Sequence, residues 1–282
     1  MNVRPATYAG SWYPDTAAEC KRQIKAFLAE KVIDPPAFEP CGAIVPHAGW
    51  VYSGGIACRA LSLLKGGRMP DTVVIFGQHL YPKSSPRILP EGGMATPLGV
   101  LAVDEDLAGK LMDRFAFQAE SVHHFAPDNT IELQLPFIKY FFPDAKIVPV
   151  GVPPDAMAVE IGRFAVQAAH DLGLCLKVAG STDLTHYGAH FGLTHYGFGE
   201  AAHRQVRDNE DRRIIERMLA MDPHRIIEEA LSSHNACCSG AVAAAIAAGR
   251  EMGAATAAQT EYATSYDKSP GDSFVGYAGI VF

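Results

Sequence analysis

The stretch Ala43-Ile44-Val45-Pro46-His47-Ala48-Gly49-Trp50-Val51-Tyr52-Ser53-Gly54-Gly55 decides how this chain is read. Ala43 to Val45 is a short apolar run, the pattern of a buried strand. Pro46 ends its pairing because proline has no N–H to donate. His47 therefore stands just beyond a strand end, and Gly49, Gly54 and Gly55 let the backbone turn tightly and approach a neighbour closely. In open α/β sheets ligands bind beyond the carboxyl ends of the strands. A histidine there, among glycines and the aromatics Trp50 and Tyr52, is a candidate metal ligand or acid–base group.

The pattern recurs twice. Asp71-Thr72-Val73-Val74-Ile75-Phe76-Gly77-Gln78-His79 is an apolar strand closed by glycine, with a histidine after it. Leu174-Cys175-Leu176-Lys177-Val178-Ala179-Gly180 runs into Ser181-Thr182-Asp183-Leu184-Thr185-His186-Tyr187-Gly188. Continuous rather than alternating apolar character marks strands buried on both faces, as in a parallel sheet between helices. Right-handed crossovers bring the ends of such strands to one edge, so His47, His79 and the pair Asp183/His186 are expected to converge.

A soft ligand is available at a helix start, Cys237 or Cys238, where free N–H groups favour a thiolate. Two imidazoles and one thiolate leave coordination positions open, the design of a catalytic rather than a closed structural metal site. With Asn235 as cap, both cysteines fall in the first turn. Successive helical residues point ~100° apart, so only one thiol is expected to face the pocket, and geometry leaves the choice open.

The rest of the chain alternates between helical and extended patterns. Helices are expected near residues 17–31, 55–64, 104–115, 159–172, 204–221, 223–231 and 236–252, and further strands near 99–103, 146–152, 256–265 and 273–281. No repeat, low-complexity tail or linker-like shift in composition interrupts the sequence. The reading is one α/β domain over 1–282, with a mostly parallel or mixed central sheet flanked by helices on both faces.

Lys and Arg total 24 against 31 Asp and Glu, a net charge of −7. With no basic run, nucleic acid and anionic membranes are not expected partners. The longest apolar stretch, Ala241–Ala248, falls far short of the ~20 residues of a membrane span. The N-terminus shows no apolar signal core, so a cytoplasmic protein is expected. None of the six cysteines forms a Cys-x-x-Cys pair, which gives no support to a zinc ribbon or a thioredoxin motif.

The chain resembles the MEMO family, also called AmmeMemoRadiSam system protein B. The resemblance rests on Ala9-Gly10-Ser11-Trp12-Tyr13, Pro46-His47-Ala48-Gly49 with Tyr52 and Gly54, and Gly77-Gln78-His79. It continues through Glu132 with Leu135-Pro136, Ser181 to Gly188, Asn235-Ala236-Cys237-Cys238 and Tyr277-Ala278-Gly279. It implies a fold like that of the extradiol dioxygenases and a pocket in which two histidines and a cysteine hold a metal. Iron is the first expectation, with copper or zinc as alternatives. The matching positions are His47, His79 and Cys238; the family spacing, three residues after the asparagine, selects Cys238 over Cys237. Asp183 and His186 match neighbouring pocket residues. The chain departs from the family at Gly77-Gln78-His79, where the turn is shorter. It departs again at Asp128-Asn129-Thr130, which lacks a histidine, and at Cys238-Ser239, which replaces Cys-Gly.

Three functions compete on this reading. In a metal-dependent redox enzyme, His47, His79 and Cys238 hold the metal while Asp183 and His186 handle protons. In a non-enzymatic binding module, Trp12, Trp50 and Tyr52 line a groove for a small molecule or peptide. In a zinc hydrolase, Asp183 acts as general base. The family name adds radical-SAM system proteins as expected partners.

Overall fold

The computed structural model describes residues 1–282. Its parallel heart is four strands lying side by side in the order Gly42–Val45, Leu176–Ser181, Thr72–Gly77 and Lys146–Gly151. Val45 pairs with Ser181, Phe76 with Gly180 and Gly77 with Gly151, so the four strands end almost level. That register sets His47, His79 and Asp183 at one edge.

Antiparallel strands extend both sides into a nine-stranded mixed sheet. Ser273–Val281 pairs with the His47 strand and itself carries Ala258–Thr264 and His186–Gly188. On the far side Arg87–Ile88 runs antiparallel to Lys146–Gly151. A separate sheet joins Val3–Arg4, Gly93–Thr96 and Gly99–Ala102. The Gly42–Val45 strand packs against the helices Gly55–Leu63 and Ser239–Glu251, and all four of its residues are buried. Both faces of the strand are thereby buried, which is why its sequence does not alternate.

One core of 63 buried hydrophobic residues runs through the molecule, with only small satellites beside it. The α/β class, the mixed sheet and the flanking helices are as the sequence indicates. No helix is long and apolar enough to cross a membrane.

The helices Ala156–Asp171 and Ser239–Glu251 approach very closely because Gly162 faces the main chain of Ala244. A Cβ on Gly162 would stand 2.1 Å from the Ala244 carbonyl oxygen, whereas one on Gly109, inside the helix Glu105–Arg114, would meet nothing within 4 Å. Gly162→Ala is therefore expected to destabilise the fold by ~1–3 kcal/mol through overpacking. Gly109→Ala should stabilise it by ~0.5–1 kcal/mol through the restricted unfolded chain. Urea midpoints of the two variants check both signs.

Candidate metal centre

His47 is 2 % exposed. Its backbone N–H donates to Asp183 Oδ1 at 2.7 Å, which ties the turn after Pro46 to the neighbouring strand end. Its ring Nδ1 lies 2.9 Å from Ser181 Oγ. The Ser181 hydroxyl donates to the Thr130 carbonyl at 2.7 Å, so towards His47 it accepts. The proton of neutral His47 thus sits on Nδ1. Nε2 lies 3.3 Å from Cys237 Sγ, where it accepts from the thiol while the ring is neutral and donates to the thiolate once that proton has passed to it.

His79 reaches the same sulfur from the next strand end but one. Gln78 holds the left-handed region at φ 68, an uncommon conformation for a residue with a side chain. Its N–H donates to Thr130 Oγ1 at 2.7 Å and its side-chain amide to Glu120 at 3.2 Å; Glu120 in turn pairs with Arg4 at 2.8 Å. The resulting sharp turn aims His79 back across the sheet edge. Its Nδ1 faces Asp128 at 3.5 Å, and one of its ring nitrogens lies within 4.8 Å of both cysteine sulfurs. The two imidazoles stand edge to face, centroids 5.1 Å apart.

The cysteines differ from expectation. The helix begins at Ser239, with Cys238 at its N-cap position and Cys237 outside it. The preceding residues are held by tertiary partners instead. The Asn235 amide donates to the Glu210 carbonyl and to Glu229, Cys237 N–H to the Asp183 carbonyl, and Cys238 N–H to Thr182 Oγ1. Asn235 is therefore no cap, and helical divergence does not separate the thiols. Their sulfurs lie 3.7 Å apart, and one donor atom from each of His47, His79, Cys237 and Cys238 falls within 4.8 Å of all the others. Cys238, the expected third donor, belongs to this group, and Cys237 stands in it as well, its sulfur 3.3 Å from His47 Nε2. The Asp183 N–H donates a further hydrogen bond to Cys237 Sγ at 3.3 Å.

The electrostatics follow from this packing. Burial alone would raise the Cys237 thiol, but Cys238, His47 and His79 outweigh it and hold the group well below the ordinary thiol value. Burial and the adjacent Cys237 push Cys238 the other way. Asp128, followed by Cys237, lifts His79 to about 10. Burial pulls His47 down, yet Asp183 and Cys237 leave it raised. Burial raises Asp183, against the pull of His47.

Above this group opens a cavity of about 1120 Å³ lined by His47, His79, Asn129, Asp183 and His186 among others. Asp183 and His186 thus share the pocket of His47, as the sequence indicates. His186 Nδ1 donates to the Leu184 carbonyl at 3.1 Å, which leaves Nε2 as its proton acceptor. Asn129 donates to the His47 carbonyl at 3.0 Å. Trp12 and Tyr52 stand exposed on the cavity wall. Trp50 also borders the cavity, but from within the core. Its ring is 2 % exposed and stacked on Phe137, and its Nε1–H donates to the Leu133 carbonyl, so it backs the wall from the core. Asp128, Ser181 and Thr130, which orient the histidines, were not singled out from the sequence as site residues. Ser181 at the last position of its strand was the available signal.

Comparison with known proteins identifies the family. The Memo-like protein family profile matches residues 4–281. The chain belongs to that family. MEMO1 family proteins from Pyrobaculum arsenaticum and Pyrococcus furiosus are each 31 % identical to it, over 100 % and 99 % of this chain and 99 % and 98 % of theirs. One from Methanopyrus kandleri is 33 % identical over 100 % of this chain and 99 % of its own. An uncharacterized protein of known structure from Escherichia coli K12 has the same fold type, with a TM-score of 0.52 at 11 % identity over 86 % of this chain and 99 % of that one.

Removing the Ser181 hydroxyl frees the His47 ring to flip or change tautomer. Loss of such an outer partner costs about 10–100-fold in metal affinity. Ser181→Ala and Asp128→Asn are each expected to weaken cobalt(II) binding by that factor with little change in Tm, as read by spectroscopic titration.

Proposed function

We propose that this Memo-like protein holds a single redox metal ion, iron or copper, on His47, His79 and Cys237 with Cys238 beside them, and acts on a small organic ligand in the cavity above. The observation that carries the reading is the shared orientation of the two imidazoles. Each has its Nδ1 beside an oxygen, and each offers a ring nitrogen within 4.8 Å of the two cysteine sulfurs. Metal-binding histidines are held in this way. The donor chemistry suits a late transition ion, since imidazole accommodates iron, copper and zinc while thiolate favours the softer members. No carboxylate belongs to the group, so it is not the two-histidine, one-carboxylate set of many non-haem iron oxygenases.

When bound, the ion would supply one-electron chemistry and a Lewis-acidic position. The chain supplies the remainder. Asp183 has one oxygen held by the His47 N–H and the other free of protein partners, on a carboxyl that burial makes easier to protonate. It can therefore hold or release a proton beside the ligand, and His186 Nε2 can accept one at the cavity wall. Trp12 and Tyr52 offer flat apolar surfaces for an aromatic or alkyl group. The wall carries Asp15, Glu19 and Asp183 but no Lys or Arg, which favours neutral or cationic ligands over phosphates. The reading places the protein in a reducing, cytoplasmic compartment, supported by six free cysteines. A radical-SAM protein is the proposed system partner, on the resemblance alone.

A second reading, a binding module without chemistry, is favoured by the exposed Trp12 and Tyr52. Metal analysis after anaerobic purification separates the two. The expected result is about one iron or copper per chain, with oxygen uptake when ligand is added, and loss of the metal in Cys237→Ala but not in Cys238→Ala. A metal-free protein that still binds ligands supports the module. Bound zinc with ester or amide turnover would mean a hydrolase instead.

A further inference from the structure

We propose that Cys237 and Cys238 are a reversible oxidation site, which a hydroperoxide converts to a vicinal disulfide that takes sulfur out of the metal donor set. The disulfide half rests on the thiol geometry alone; the metal half rests on the function proposed above. The two sulfurs are 3.7 Å apart in a buried setting. Cys238 holds φ −128 and ψ 53, outside helical geometry, which turns its side chain towards Cys237 rather than ~100° away from it. Cys237 receives the Asp183 N–H at 3.3 Å and contacts His47 Nε2 at 3.3 Å, the surroundings of a nucleophilic sulfur. It is also the more exposed of the pair. A resolving thiol is thus already in place, and no loop has to travel to deliver one.

The chemistry balances with the hydroperoxide as sole oxidant. Cys237 sulfur attacks the terminal peroxide oxygen, a S–O bond forms and the O–O bond breaks. The alkoxide leaves and takes up the proton that Cys237 gave up. Cys238 sulfur then attacks the resulting sulfenic acid; the S–S bond forms, the S–O bond breaks, and hydroxide leaves with the Cys238 proton as water. Two thiols and ROOH become one disulfide, ROH and water, with two electrons passing from sulfur to the peroxide.

Adjacency makes the product labile. Neighbouring Cα atoms are ~3.8 Å apart across a trans peptide, closer than the ~4.4–6.8 Å of ordinary disulfides. A strained disulfide is the more readily reduced. Metal and disulfide exclude each other, because a coordinated thiolate is not free to attack and a disulfide sulfur is no longer a thiolate donor. His47 and His79 alone remain in the oxidised form. Peroxide therefore acts on the metal-free protein, and reduction restores the site.

The test uses the full chain, reduced and stripped of metal, then treated with an equivalent of hydrogen peroxide. Intact mass should fall by two hydrogens, and peptide mapping should place the bond between Cys237 and Cys238. Cobalt(II) added to the oxidised protein should give no sulfur-to-cobalt charge-transfer band, and a phosphine reductant should restore it. Protein loaded with zinc beforehand should resist the mass change. In Cys238→Ala the reaction should stop at oxygen added to Cys237. Oxygenated Cys237 without an S–S bond in the unmutated chain would overturn the proposal, and so would a disulfide that leaves the cobalt band intact. A reduced protein that binds no cobalt overturns the metal function, while the mass map still decides the disulfide.

Discussion

A charged sulfur inside a protein is costly unless hydrogen-bond donors surround it, and the site is organised by that requirement at Cys237. The Asp183 N–H, His47 and His79 all approach one atom. Each imidazole needs an acceptor on its far side, supplied by Ser181 and Asp128. Both acceptors lead to Thr130, whose carbonyl receives the Ser181 hydroxyl and whose side chain bonds Asp128 and the Gln78 N–H. One fully buried threonine therefore fixes the aim of both histidines. It can do so only because the strands end level and Gly77 leaves room, since a Cβ there would stand 2.3 Å from Thr130 Oγ1.

The parallel heart of the sheet was legible because burial on both faces writes itself into continuous apolar runs, as in Val73 to Phe76 and Leu176 to Ala179. The convergence of His47, His79 and Asp183 followed from those runs plus the handedness of crossovers. The cysteine pair was less legible. Where a helix starts depends on which N–H groups are already engaged. Here Asp183 and Thr182, some fifty residues upstream, engage those of Cys237 and Cys238. The inward turn of Trp50 was hidden for a related reason. Its neighbour His47 advertises a pocket, but the ring turns towards Phe137 on a distant helix, a packing choice that local pattern cannot express.

Fold and chemistry separate cleanly in this molecule. A structure only 11 % identical shares the architecture, so the fold survives the replacement of most of the sequence. What a protein does is decided by the side chains grafted there. In this chain those are two oriented imidazoles, two adjacent thiols, and a carboxylate with one oxygen free to meet a ligand.

Gln78 brings a further consequence. Glycine would relax its left-handed backbone, which for a residue with a Cβ is unfavourable by ~1–2 kcal/mol. Glycine would also sever the line that runs from Arg4 through Glu120 to the amide beside His79. Arg4 belongs to a short strand of the small separate sheet, so that sheet is tied to the edge that carries the His/Cys group. The first strand of the chain is thus joined, through one ion pair and one amide hydrogen bond, to the turn that sets His79, seventy-five residues away in sequence.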